Sequence, residues 1–205
     1  MDEGNPDSGT SEDVVAWTQM AMQRLQALTD EPTQQRILTG CACHYPTAEL
    51  AEIRAQYTET GDIDLAHRML QAKFKRFLVE ELALSNAQAD EVIRQGWGLA
   101  GIRQGRTIVA TNIPKSGNFH AYMAEPDPDE SRRLYCHCPR VREALERDET
   151  LPTLYCYCGA GFYKGIWEEI LQRPVDVDVL ETVLSGGDVC RVAVYLPEDV
   201  APDAD

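Results

Sequence analysis

Apolar residues recur every three or four positions from Ser11 to Ile93, the period of helices that bury one face. Ser11 can cap a first helix running to about Leu28, with Val14, Trp17, Ala21, Leu25 and Leu28 on one stripe. Asp30-Glu31-Pro32 starts a second, short helix that Gly40 ends. Thr47 opens a third, with Leu50, Ile53 and Tyr57 on one face, closed near Gly61. Asp62 caps the longest, expected to reach about Leu84 with Ile63, Ala66, Leu70, Phe74 and Phe77 inside and Lys73, Lys75 and Arg76 on a solvated flank. Ser85 and Gln88 have the spacing of a capping box before a helix that carries Val92 and Ile93.

The period changes at Gly96-Trp97-Gly98. Thr107–Ile113 is rich in β-branched residues and reads as a strand, Pro114–Gly117 as a turn, and Asn118–Met123 as a returning strand. Pro126–Asp129 reads as a loop. Arg132–Cys138 reads as a strand entering a helix over Val141–Leu145, and Leu154–Cys158 leads into a helix from Gly159 to Leu171. Val175–Val179 alternates like a half-exposed strand, Ser185–Asp188 has hairpin-turn chemistry, and Val189–Leu196 places Cys190, Val192, Val194 and Leu196 on one face. N-terminal helices followed by an antiparallel sheet with packed helices make an α+β class. Residues 12–197 are expected to form one domain between acidic, disordered tails at 1–11 and 198–205.

At 205 residues the chain suits one domain that buries about 70 % of its surface. No run approaches the ~18 apolar residues of a membrane span, and the acidic start lacks a signal peptide's apolar core. The expectation is a cytoplasmic protein whose thiols stay reduced. The net charge of -15 argues against nucleic acid, since binding phosphates takes clustered Lys and Arg. A homodimer is compatible with the sequence.

The chemistry concentrates in cysteine. Leu134–Leu145 and Leu154–Gly165 each carry an apolar pair, a Cys-x-Cys and a helix start. In extended backbone residues two apart share a side, so Cys136 should point with Cys138, and Cys156 with Cys158. Cys138 and Cys158 fall where a helix N-terminus favours thiolate. A third pair, Cys41 and Cys43, precedes His44. Paired thiols in a reducing compartment suggest metal, zinc first and an iron–sulfur cluster after it. Cys136, Cys138, Cys156 and Cys158 supply four thiolates if their segments lie side by side. One from each pair, with Cys43 or His44, serves equally. The competing readings are small buried hydrophobes and a thiol catalyst or redox sensor. Cys190 shares parity with Val192 and Val194 and reads as core.

His137, between two cysteines, should point away from them. His67 reads as surface, and His120 as lining a pocket or covering the sheet. Glu181 keeps the parity of the buried valines, but a bulge or strand end would expose it. No phosphate loop, Gly-x-Ser-x-Gly or His-Glu-x-x-His occurs.

The segment Cys158–Leu171, then Val175–Leu184, then Gly187–Val192 resembles the C-terminal end of the 4-vinyl reductase domain family. It is also similar to the L-2-amino-thiazoline-4-carboxylate hydrolase family. The whole chain resembles an uncharacterised prokaryotic family with Cys-His-Cys-Pro and Cys-Tyr-Cys-Gly-Ala-Gly signatures. The resemblance implies a small-molecule-binding α+β fold, often carrying zinc on cysteines, used as a sensor or a hydrolase. Cys156, Cys158 and Cys190 match family cysteines. The function expected is therefore a zinc-binding protein with a small-molecule pocket, possessing hydrolase chemistry toward a small organic substrate. The alternatives are a ligand-sensing or interaction module with a structural zinc site, and a thiol redox protein.

Overall fold

The computed structural model describes residues 11–40 and 43–200. Cys41 and most of both expected tails lie outside the described residues.

The helical half follows its caps. Helix α1 spans Ser11–Leu28, α2 Glu31–Thr39, α3 Ala51–Thr60, α4 Ile63–Glu80 and α5 Asn86–Arg94. Asp30 accepts from the Thr33 N–H to start α2, Asp62 from Leu65 to start α4, and Ser85 with Gln88 closes the capping box of α5. Gly61 ends α3 in the left-handed region at φ 66°. Helix α4 stops at Glu80, short of Leu84, and Ala83 takes φ 55° in the turn that follows.

The buried face of α1 is rotated by one residue from the expected stripe. Val15, Thr18 and Met22 are buried, while Trp17 and Leu28 are 42 % and 81 % exposed. Two stripes with the same helical period run along this helix, and its packing on a later helix selects the one carrying Val15.

Among the described residues the four strands are β1 Ile102–Gln104, β2 Thr107–Thr111, β3 Asp176–Glu181 and β4 Arg191–Tyr195, in the order β1-β2-β4-β3 with every neighbouring pair antiparallel. In β3 exposed and half-buried residues alternate, as its sequence predicts. Val194 lies between Ile108 and Val177 in register, and Val192 between Ala110 and Val179.

Two expected strands are helices. Asn118–Met123 contains no β-branched residue, and Phe119–Ala124 forms α6, with Phe119 buried and Tyr122 half-buried one turn apart. Arg132–Cys138 is mostly α7, Pro128–Tyr135. Its start is Asp127, whose carboxylate accepts from the Asp129 and Glu130 N–H groups, with Pro128 in the first turn. Only Cys136–Cys138 stays extended before α8, Pro139–Glu146. A 3₁₀ turn at Thr153–Cys156 runs into α9, Tyr157–Leu171, which therefore starts before Gly159.

Helix α9 is the central element. Ala160, Tyr163, Ile166, Trp167 and Ile170 pack into one core with Ile108, Ala110, Val192 and Val194 of the sheet and with Leu50, Ile53 and Leu70 of the N-terminal helices. A second apolar cluster gathers Val15, Tyr135, Cys136, Val141, Val183 and Val189. A third lies between α4, α5 and Phe119. The C-terminal segment is ordered further than expected: Glu198 pairs with Arg106, Asp199 with Arg173, and Val200 packs on the first core.

Candidate thiol site and adjoining pocket

The two Cys-x-Cys copies adopt different backbones, and that decides which thiols meet. Cys136 (φ -65°, ψ 130°) and Cys138 (φ -72°, ψ 117°) are extended. Both side chains pack into the second apolar cluster, as their spacing predicts. His137 faces elsewhere. Its Nε2 lies 2.8 Å from the Ile113 carbonyl oxygen. A carbonyl only accepts, so Nε2 carries the proton and Nδ1 is the acceptor.

Cys156 and Cys158 do not repeat this arrangement. Cys156 caps α9 in helical backbone (φ -67°, ψ -12°), and Cys158 lies in the first turn. Residues two apart on a helix are separated by about 200° around the axis, so the two thiols diverge. Cys156 turns to Thr182, with Cys190, Cys138 and Cys158 also in electrostatic reach. Cys158, only 9 % exposed, turns to Cys43, and the two sulfurs stand 3.7 Å apart. The expectation that Cys156 and Cys158 point together is corrected by the helix that holds them.

A close helix contact puts Cys43 there. A Cβ on Gly161 would lie 2.2 Å from the Thr39 carbonyl oxygen, so only glycine lets the end of α2 settle on α9. Cys43 stands beside Cys158, in the first turn of α9.

Thiolate does not prevail where burial is deep. Burial, reinforced by neighbouring thiols, raises Cys136 well above the ordinary thiol range and Cys156 to about 12. Burial raises Cys190 to about 11, despite a hydrogen bond from the Val183 backbone. At Cys156 desolvation therefore outweighs the helix terminus. Cys190 is half-buried against the second cluster, not in the first with Val192 and Val194 as expected, and is close enough to Cys136 and Cys156 to raise both. Its backbone is pinned by Tyr135: the Cys190 N–H donates to Tyr135 Oη at 2.9 Å, and that hydroxyl donates to the Asn112 carbonyl at 2.6 Å. Tyr135 is 1 % exposed. Its position beside a cysteine motif was no signal of this role.

Cys43, His44 and His137 share a cavity of about 740 Å³. Phe74, Phe77 and Phe162 supply apolar walls. Tyr45 meets Phe162 edge-on at 5.7 Å and donates to Glu49, which also pairs with Lys73 at 2.9 Å. His44 is exposed at this wall, and His137, which sequence reasoning set aside, lines the same space. Cys136 does not line it.

The remaining polar candidates have structural roles. His67, expected on the surface, is half-buried, stacked on Trp167 at 6.2 Å, with Nε2 3.1 Å from the Ala100 carbonyl. His120 lies exposed on α6 rather than on a strand. Glu181 follows a bulge, accepts from the Asp188 N–H at 3.1 Å and pairs with Arg191 at 3.2 Å. Among the described residues, no three of His, Cys, Asp and Glu are gathered closely enough to hold a metal ion without rearrangement. Among them also, no helix is long and apolar enough to cross a membrane.

A family of unknown function (DUF6144) matches residues 131–201. That segment runs from α7 through β4 and contains Cys136, Cys138, Cys156, Cys158 and Cys190, but neither Cys43 nor His44. No curated protein and no solved structure matches the chain.

Proposed function

We propose that this protein binds a small organic molecule beside a thiolate-held metal, zinc before any other ion. The observation that carries the reading is the Cys43–Cys158 sulfur separation of 3.7 Å at the pocket wall. Two thiolates on one tetrahedral zinc, with Zn–S of about 2.3 Å, stand about 3.8 Å apart. Cys156 and Cys138 are further thiol donors, Cys156 within electrostatic reach of both Cys138 and Cys158, and His44 adjoins Cys43 in the chain. Recruiting them needs side-chain rotation, because no three such donors among the described residues stand at ligand spacing. Cys136, buried away from the pocket, is a core residue in this reading and leaves the ligand set expected from its motif.

A zinc ion with an open position supplies Lewis-acid polarisation and lowers the pKa of a bound water to about 7. The chain's own contribution is the aromatic wall that takes the apolar part of a ligand, and the His137 ring that lines the same cavity. Hydrolysis of a small organic substrate is the reaction class these parts suit, in keeping with the resemblance of the C-terminal segment to a hydrolase family.

Elemental analysis of anaerobically purified protein tests the reading. The expected result is about one zinc per chain, lost in Cys43→Ser and in Cys158→Ser and kept in Cys136→Ser. Metal far below one equivalent in the unaltered protein removes the proposal.

A further inference from the structure

We propose that Cys43 and Cys158 are an oxidation site, closing to a disulfide when a hydroperoxide enters the pocket. The inference stands on sulfur geometry and does not need the metal reading. The two sulfurs come from segments far apart in sequence and lie 3.7 Å apart, so bonding at about 2.05 Å takes a small approach. Cys43 lies in irregular backbone before the turn at Thr47–Leu50, so its side can give. The opposite side, α9, is held by the largest core.

The two thiols have unequal access. Cys43 lines the cavity, whereas Cys158 is buried beneath it. The Cys43 thiolate attacks one peroxide oxygen. An S–O bond forms, the O–O bond breaks, and the leaving oxygen takes up a proton to depart as water. The Cys158 thiol, giving up its proton to the departing oxygen, then attacks the Cys43 sulfenic sulfur. The S–S bond forms, the S–O bond breaks, and hydroxide leaves with a proton as a second water. Two thiols lose two electrons, and hydrogen peroxide becomes two waters. The bond ties His44 and Tyr45, on the pocket wall, to α9 and removes two candidate ligand sulfurs.

The test uses the full chain, stripped with a chelator under reducing conditions, desalted, and exposed to a small excess of hydrogen peroxide. The expected result is a fall from seven titratable thiols to five, with one crosslink joining the peptides that carry Cys43 and Cys158. Fragmentation of the linked peptides in the unaltered protein assigns the sulfurs. Cys43→Ser and Cys158→Ser should each abolish the link, and Cys156→Ser should keep it. Assignment to any other pair, persistence of the link in either of the first two variants, or oxidation of Cys43 to sulfinic acid without a link overturns the inference. Zinc content is measured beforehand on the same preparation. A crosslink without zinc leaves this inference standing and removes the metal proposal, while zinc without a crosslink does the reverse.

Discussion

Tyr135 shows how one side chain holds a thiol site together. Its ring fills the second cluster against Trp97 and Tyr122, at centroid distances of 6.3 and 5.5 Å. Its hydroxyl joins the backbone at Asn112, after β2, to that of Cys190, before β4. Burial, with the neighbouring Cys190 thiol, raises its own pKa, so it stays a neutral donor at neutral pH. Tyr135→Phe keeps the ring and leaves a buried carbonyl and a buried N–H each short of this partner. The expected loss is about 1–3 kcal/mol, read as a lower urea midpoint with an unchanged slope. A change within about 0.5 kcal/mol, the usual effect of a surface substitution, would mean that the hydroxyl pair is not holding these segments.

At the scale of elements, α9 and its contact with α2 carry the site. Gly161→Ala forces a methyl group against the Thr39 carbonyl, and α2 must move away. We expect a loss of about 1–3 kcal/mol, as for other overpacked contacts, together with a slower Cys43–Cys158 crosslink. Gly159→Ala, two residues earlier, meets nothing within 4 Å and should leave both measurements unchanged. If the two variants crosslink at equal rates, the close approach of α2 is not what brings the sulfurs together. The misread elements, α6 and α7, follow the same lesson at shorter range. The Asp127 cap of α7 and the helical spacing of Phe119 and Tyr122 in α6 outweighed apolar runs that resembled strands.

For the whole molecule, buried titratable groups set the pH range of stability. Burial lowers the pKa of His67, so the unfolded chain binds more protons there. That contribution is fully present above the ordinary histidine value of about 6.5 and is lost as pH falls through the folded value. Burial raises Cys136, Cys156 and Cys190, so the folded chain keeps protons longer. Their contribution is fully present below the ordinary thiol value of about 8.5. It is lost as pH rises through about 11 for Cys190 and about 12 for Cys156. Urea midpoints of the metal-free protein should therefore be highest between about pH 6.5 and 8.5 and fall on both sides. The Cys190→Ala variant should flatten the alkaline limb, and a limb of unchanged slope would show that desolvation does not raise this thiol.

The sequence alone determined what depends on near neighbours. Caps at Asp30, Asp62 and Ser85, the glycine stop at Gly61 and the alternation of Val175–Val179 act through hydrogen bonds and side chains a few residues apart, and each appears where it was expected. The α+β class follows from summing such signals. Only the tertiary structure decided the rest. Either of two overlapping stripes could have faced inward on α1, and packing on α8 chose Val15. The doubled Cys-x-Cys looked like one arrangement used twice, until α9 began at Tyr157, inside the second copy, and turned Cys156 and Cys158 apart. The meeting of Cys43 with Cys158 rests on one glycine under a carbonyl from a distant helix. No local pattern encodes that contact, because its cause is the fit between surfaces that touch only after the chain has folded.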